Sequence, residues 1–357
     1  MITPRVTLSQ IAARAGVHIT TVSLALRNSP RLPAATRERI QALAKEMNYR
    51  PDPMLSSLIA YGAIRRKPVF QATIALFNAF PKPEEMVANP CFRSYLEGAV
   101  KRAEALGYKI EEVCLGAKDL KPEALKRQLL ARGITSLLIF PLPQQGTLLP
   151  GFDWEAFNVV ALGYSLTEPQ FTRVTNHQFR SMILMIRELR RLGYRRIGLC
   201  LDEIYNRKIN MGLSSAYYAY TESIPEEDRV PIHRLSEGTG PQAIMTWVRR
   251  AEPEVIVGID EGLFSWVREA GLRVPEDIGL VSPHVYEEDG RSSGMLQNDD
   301  LIGAMAVDSL VAMIQRNEKG CPQHPQHVLI DGTWREGQTV RRVGPEQPWF
   351  LKLPALV

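Results

Sequence analysis

The sequence predicts an all-α helix-turn-helix headpiece followed by an α/β, two-lobed body with parallel sheets. Three observations predict it. Residues 1–67 carry eleven Lys and Arg against three acids, net +8, whereas residues 68–357 hold 32 basic and 36 acidic side chains, net −4. Three short stretches of helical periodicity, punctuated by Gly and Pro, open the chain. From Phe70 onward, short apolar runs alternate with amphipathic stretches, the pattern of strands joined by crossover helices. A basic arm on a mildly acidic body is the asymmetry of a chain with one end facing a polyanion.

The first helix starts after Thr7, a good N-cap, and places Leu8, Ile11, Ala12 and Ala15 on one face. Gly16 stops it, and Val17-His18 forms a short connector. The second helix spans roughly 19–26, with Val22, Ala25 and Leu26 inward and Ile19, Thr20, Ser23 and Leu24 on the remaining face. After a Ser29-Pro30 break, a third helix from Pro33 or Ala34 to Asn48 turns Ile40, Leu43, Ala44 and Met47 inward. Two short helices joined through Gly and braced by a third can lay the second in the DNA major groove. Asp52 and Pro53 then suit the start of another helix, but the segment is too short to hold one alone in water. Arg65-Arg66-Lys67-Pro68 closes the module as a basic linker.

In the body, strands are expected at 72–77, 109–114, 137–140, 159–162, 197–201, 231–234, 255–259 and 278–282. Helices such as 92–106, 122–132, 177–192, 214–222, 241–250 and 261–270 lie between them. That alternation implies parallel sheets with right-handed crossovers. About 290 residues exceed one core of roughly 100–200, so two lobes are expected. Glu104 to Tyr108, Arg191 to Tyr194 and Glu269 to Leu272 each end a helix in Gly just before a strand, a weak internal repeat.

The run VTLSQIAARAGVHITTVSLALRNSPRLPAATRERI, followed by MNYRP, resembles the headpiece of the lactose-repressor or LacI-type family of bacterial transcription regulators. The body resembles that family more loosely, through RRLGYRRIGLCL and REAGLRVPEDIGLVS. The resemblance implies a sequence-specific repressor that binds a pseudo-palindromic double-stranded DNA operator as a homodimer. It also implies a periplasmic-binding-protein-like body with a small-molecule effector, expected to be a saccharide, in the interlobe cleft. The division expected is a DNA-binding domain at 1–50 and a hinge helix with linker at 51–68. The N-terminal lobe would take 69–164 plus 293–321 and the C-terminal lobe 165–292 plus 322–344, leaving a tail at 345–357. Chain crossings between the lobes are then expected near 163–166, 289–295 and 319–324.

By the same resemblance, Thr7 and Ser23 are phosphate contacts, Ile19, Thr20 and Leu24 occupy the base-reading positions, and His18, Thr21, Arg27, Arg31 and Tyr49 complete the candidate DNA surface. Leu58 would wedge into the minor groove and Leu55 would pack near the two-fold axis. The position after Val22-Ser23 is usually Arg in the family and is Leu24 here; the position of Leu55 is more often Ala. For the effector, candidate contacts are Asn78, Arg207, Asn210, Asp260 and His284. Two departures stand out: an Arg usual in the family is replaced within Ile209-Asn210-Met211-Gly212, and a usual carboxylate is lost in Ser282-Pro283-His284-Val285. They leave open another effector chemistry or a regulator without an effector.

Other classes find little support. No Walker loop or G-x-S-x-G is present, Gly238-x-Gly240 lacks a third Gly, and Ser214-Ser215 has no evident His partner, so no enzyme is expected. No cofactor is implied, and Cys321 with His324 and His327 lacks the second Cys of a zinc site. Without a signal-peptide segment or a run approaching about 18–20 apolar residues, a cytoplasmic protein is expected rather than a secreted sugar-binding component. The tail carries no heptads for a tetramer bundle. Because Leu24 offers an apolar surface where Arg would read guanine, selection from a random DNA library should return T or A at the facing base pair. An invariant G there would contradict this reading.

Overall fold

The computed structural model describes residues 6–26, 32–47, 49, 70–116, 121–235, 240–258, 261–286 and 291–348. The headpiece comprises α1 (Leu8–Ala15), α2 (Ile19–Leu26) and α3 (Ala34–Glu46). Ile11, Val22, Ala25 and Ile40 are fully buried and make its core, with Leu8, Leu43 and Met47 packed around them. Gly16 caps α1 in the left-handed region at φ 65°, which a side chain would resist. Arg39 Nη2 donates to the Ala15 carbonyl at 3.3 Å and Gln41 Nε2 to that of Ala25 at 2.9 Å, so α3 ties off the C-terminal ends of the other two helices.

The body holds two six-stranded sheets. In chain order the strands are β1 (Ala72–Asn78), β2 (Tyr108–Cys114), β3 (Ser136–Ile139), β4 (Gly146–Thr147), β5 (Asn158–Leu162), β6 (Leu166–Glu168) and β7 (Thr172–Asn176), then β8 (Ile197–Asp202), β9 (His233–Leu235), β10 (Val255–Gly258), β11 (Gly279–Val285), β12 (Ser293–Leu296), β13 (His327–Ile330) and β14 (Thr333–Arg335). The helices between them are α4 (Pro83–Ala88), α5 (Pro90–Ala105), α6 (Pro122–Ala131), α7 (Gln178–Arg191), α8 (Glu203–Lys208), α9 (Gly212–Glu222), α10 (Pro241–Ala251), α11 (Glu261–Glu269) and α12 (Asp299–Arg316). The first sheet runs β2-β1-β3-β5-β7-β13 and the second β9-β8-β10-β11-β12-β14; β4 pairs with β6 apart from both. The described pairs are parallel except β12 with β14.

The near-continuous apolar strands follow from burial on both faces. Along β1, Ile74 and Leu76 enter one core with α5 and α12, while Ala75 and Phe77 enter the opposite one with α6. The second sheet divides likewise: Val255 and Val257 face α7 and α9, and Ile256 faces α10 and α11. Sheet one includes β7 and β13, and sheet two includes β12, so the expected lobe boundaries and crossings shift. The chain crosses at 177, at 297–298 and at 331–332 rather than near 163–166, 289–295 and 319–324. The reason is pairing: β7, with the polar sequence TRVTN, adds to β5, the short β12 adds to β11, and β13 and β14 close the two sheets as edges. These strands are too short or too polar for apolar periodicity to mark them. The crossings are tied together, since Asn298 Nδ2 donates to the Asp331 carbonyl at 2.8 Å and Arg180 pairs with Asp331 at 2.7 Å.

Helices α5 and α12 meet backbone to backbone. A Cβ at Gly98 would overlap the Asp300 carbonyl, and one at Gly303 would overlap that of Tyr95. Arg102 and Asp308, 2.7 Å apart, extend the contact along both helices. Gly303→Ala should therefore cost about 1–3 kcal/mol or more in urea denaturation. Gly146→Ala, which meets nothing within 4 Å, should stay within about 0.5 kcal/mol of the parent. Equal midpoints for the two variants would contradict the close contact.

Candidate DNA-binding face and interlobe cleft

The geometry of the second helix starts with its caps. Thr7 and Gln10 form a reciprocal capping box on α1: Thr7 Oγ1 accepts from Gln10 N at 3.4 Å, and Gln10 Oε1 accepts from Thr7 N at 2.8 Å. At the start of α2, His18 Nδ1 lies 2.8 Å from Thr20 Oγ1 and accepts from Thr20 N at 3.4 Å, without a reciprocal bond. Val22 and Ala25 turn into the core, which leaves Ile19 and Thr20 exposed and Thr21, Ser23 and Leu24 partly so. Ile19 is 41% accessible, an apolar side chain held outward on a surface that carries no core function. The Thr20 hydroxyl already has a partner in His18, so reading a base would mean exchanging that bond. Tyr49 is half-buried against the headpiece core, its N donating to the Ala44 carbonyl at 3.0 Å. Arg27, Arg31, Leu55 and Leu58 lie outside the described residues, as does the hinge expected at 51–68.

The second candidate site is a cleft of about 690 Å³ between the two lobes, at the carboxyl ends of the parallel strands. Its walls are aromatic: Phe92 and Tyr164 from the first lobe, Tyr205, Phe264 and Tyr286 from the second. Among its polar lining, Gln178 is 7% exposed and its Oε1 has no hydrogen-bond partner. Gly212 lets α9 approach it closely, since a Cβ there would lie 2.7 Å from Gln178 Cβ. Lys208 also lines the cleft, its Nζ donating to the Pro143 carbonyl at 3.2 Å and lying 5.9 Å from the Phe92 ring centroid. Burial holds the Lys208 ammonium below its ordinary pKa.

At one end of the cleft a buried polar cluster joins the lobes. His284 Nε2 is 2.6 Å from Asp299 Oδ2, and the imidazole lies against Tyr286 with centroids 4.8 Å apart. Asp299 Oδ1 accepts from Asn176 Nδ2 at 3.5 Å and from Cys91 Sγ at 3.6 Å. Tyr95 donates to Asn176 Oδ1 at 2.8 Å. Burial, then the Asp299 charge, pushes the Cys91 thiol well above its usual range, and burial does the same to the Tyr95 and Tyr205 phenols.

Of the effector contacts expected from sequence, His284 lines the cleft. Asn78 does not: it is fully buried and its amide is consumed by the fold, donating to Glu112 Oε1 at 2.6 Å and to the Pro83 carbonyl at 3.3 Å and accepting from Phe80 N at 2.9 Å. Arg207 and Asn210 are exposed and stand outside the lining; α8 presents Lys208 and Ile209 to the cleft instead. Asp260 lies outside the described residues. Sequence reading missed Cys91, Asn176, Gln178, Lys208 and Asp299. Asn89 before Pro90 caps α5, its Oδ1 accepting from Cys91 N at 3.0 Å, whereas Asn298 makes no side-chain cap on α12; the convergence of the two helix starts depends on tertiary structure.

A small helical headpiece whose second helix holds an apolar side chain outward precedes two parallel-sheet lobes around a cleft, the architecture of a DNA-binding module joined to an α/β body. Residues 7–52 match the profile described as bacterial regulatory proteins, lacI family. The lactose operon repressor of Escherichia coli (strain K12) is 25% identical over 335 residues, 87% of this chain and 85% of that one. Among solved structures, a complex of the transcriptional regulator CelR with cellobiose aligns at TM-score 0.55 and 19% identity over 94% of this chain and 100% of that one. A lac repressor dimer bound to operator and the anti-inducer ONPF aligns at TM-score 0.52 and 20% identity over 94% and 99%. Residues 7–52 thus carry a DNA-binding headpiece of the lacI type, and over most of its length the chain is similar to a transcriptional repressor with such a headpiece. Among the described residues no helix is long and apolar enough to cross a membrane.

Thr7→Ala should destabilise the headpiece by about 0.5–2 kcal/mol, and Thr7→Ser should restore most of it. Hydrogen exchange at the Gln10 amide checks this. Unchanged protection in Thr7→Ala would contradict the cap.

Proposed function

We propose that the protein is a cytoplasmic, homodimeric repressor whose operator affinity is set by a saccharide bound between the lobes. The observation that carries the effector reading is the cleft itself: aromatic walls that suit the apolar faces of a sugar ring, beside a buried Gln178 carbonyl oxygen that lacks a donor. A ring hydroxyl supplies that donor. The cellobiose complex of the aligned regulator supports the same class of ligand.

Thr7, His18, Ile19, Thr20, Thr21, Ser23 and Leu24, with Arg27, Arg31 and Tyr49, form the proposed operator contact. Leu55 and Leu58 act from the hinge, and His284 contacts the effector. One headpiece reads one half-site, so a two-fold operator requires two chains. A ligand that prefers one lobe angle biases the spacing of the two hinges, and by linkage operator and saccharide change each other's affinity by the same factor. The chain performs no catalysis in this scheme.

Thermal melts against neutral sugars, cellobiose included, sugar acids and nucleobases test the effector. A saccharide should raise the melting midpoint of the parent and raise it much less in Gln178→Ala. No response across the panel would contradict effector control and favour an effector-independent regulator. Gel shifts at low and raised salt test the DNA half: a specific complex should persist where binding to random duplex is lost, and losing both together would contradict operator recognition.

A further inference from the structure

Three different metal-ligating side chains, from distant parts of the chain, converge where the lobes meet. Cys91 lies at the start of α5, Asp299 is the first residue of α12, and His284 is the penultimate residue of β11. One ligand atom from each lies within 4.8 Å of the others. We propose that Cys91, His284 and Asp299 bind a single divalent transition-metal ion of the zinc class, with a fourth coordination position open to the cleft.

The donor set selects the kind of ion. A thiolate, an imidazole and a carboxylate suit a borderline ion such as Zn²⁺, whereas Ca²⁺ and Mg²⁺ prefer oxygen donors throughout. With zinc–ligand bonds of about 2.0–2.3 Å, tetrahedral geometry holds ligand atoms roughly 3.2–3.7 Å apart. Cys91 Sγ and Asp299 Oδ1 already sit 3.6 Å apart. His284 Nε2 contacts the other carboxylate oxygen, Asp299 Oδ2, at 2.6 Å; whichever oxygen serves as the single carboxylate ligand, this contact must open by roughly half an ångström to one, within the reach of a rotamer adjustment.

Charge points the same way. Asp299 is 8% exposed, and among the described residues it forms no ion pair with Lys or Arg. A buried carboxylate supported only by polar neighbours gains from a cation. An ion of charge +2 facing one thiolate, one carboxylate and a neutral imidazole leaves the site neutral. On binding, the Cys91 S–H bond breaks, a sulfur–metal bond forms and the proton passes to solvent. Outer partners are in place as well: Asn176 donates to Asp299 Oδ1 and accepts from Tyr95, which limits the rotation of the carboxylate.

The placement has a mechanical consequence. Cys91 and Asp299 belong to helices on the first sheet, and His284 belongs to the second, so one ion would staple the lobes at a fixed angle. The effect of that angle on DNA rests on the function proposed above; the binding of the ion does not.

Cobalt titration of the chelator-treated full-length protein is the test. Co²⁺ should bind one per chain and give a near-ultraviolet thiolate-to-cobalt charge-transfer band, and Zn²⁺ should displace it. Cys91→Ser should abolish the band, while Cys114→Ser with Cys321→Ser, which removes the two exposed thiols, should leave it intact. His284→Gln should keep the band but weaken Co²⁺ binding by about tenfold or more. A parent protein without a saturable band, a band that survives Cys91→Ser, or unchanged affinity in His284→Gln would overturn the site. Should Cys91→Ser fail to fold by circular dichroism, the His284→Gln titration decides by itself.

Discussion

The contact of α5 with α12 is the constraint on which the cleft depends. Gly98 and Gly303 allow the two backbones to touch, and that approach brings the N-terminal ends of both helices to one place at the cleft. Cys91, Tyr95 and Asp299 then meet there, and Asp299 reaches across to His284 on the second sheet. Because α12 begins immediately after the chain crosses at 297–298, the same contact positions the crossing itself. Lobe angle and cleft chemistry are thus set at one junction rather than at two.

The other two crossings are drawn into that junction. Asn298 binds the Asp331 carbonyl, and Asp331 pairs with Arg180 in the first turn of α7. Gln297, at the same crossing, is held to the second lobe, accepting from Ser181 Oγ at 3.3 Å and donating to the Pro283 carbonyl. The three crossings thus share hydrogen bonds, while each sheet keeps its own buried cores on both faces. The headpiece needs no such device. Its small core is fixed locally, by Thr7 and His18 at the helix starts and by α3 behind them.

The headpiece was almost fully legible in the chain, because its signals are local: Thr7 as a cap, Gly16 as a stop, and Ile11, Val22 and Ile40 at helical spacing. The central strands were legible for a related reason, as runs such as ATIALFN and NVVAL are buried on both faces. The edges were not. β7 reads TRVTN, and β13 and β14 are four and three residues long, so their places come from pairing partners far along the chain. The cleft was legible only in part. His284 follows a recognisable strand, but Asn78 was misplaced because a strand-end Asn can equally serve the fold, as its bond to Glu112 shows. Gln178, Lys208 and Asp299 carry no local signature, since their meaning lies in what faces them across the lobes.

The two halves of the molecule meet in one claim, that a headpiece with an apolar reading face selects particular DNA sites under the control of the body. Genome-wide mapping of the DNA bound by the protein in its own cell tests this most directly. A small number of sharp sites sharing a two-fold sequence is expected, with T or A at the base pair facing Leu24 and occupancy that changes with the available carbon source. Broad binding without a shared two-fold sequence would contradict it.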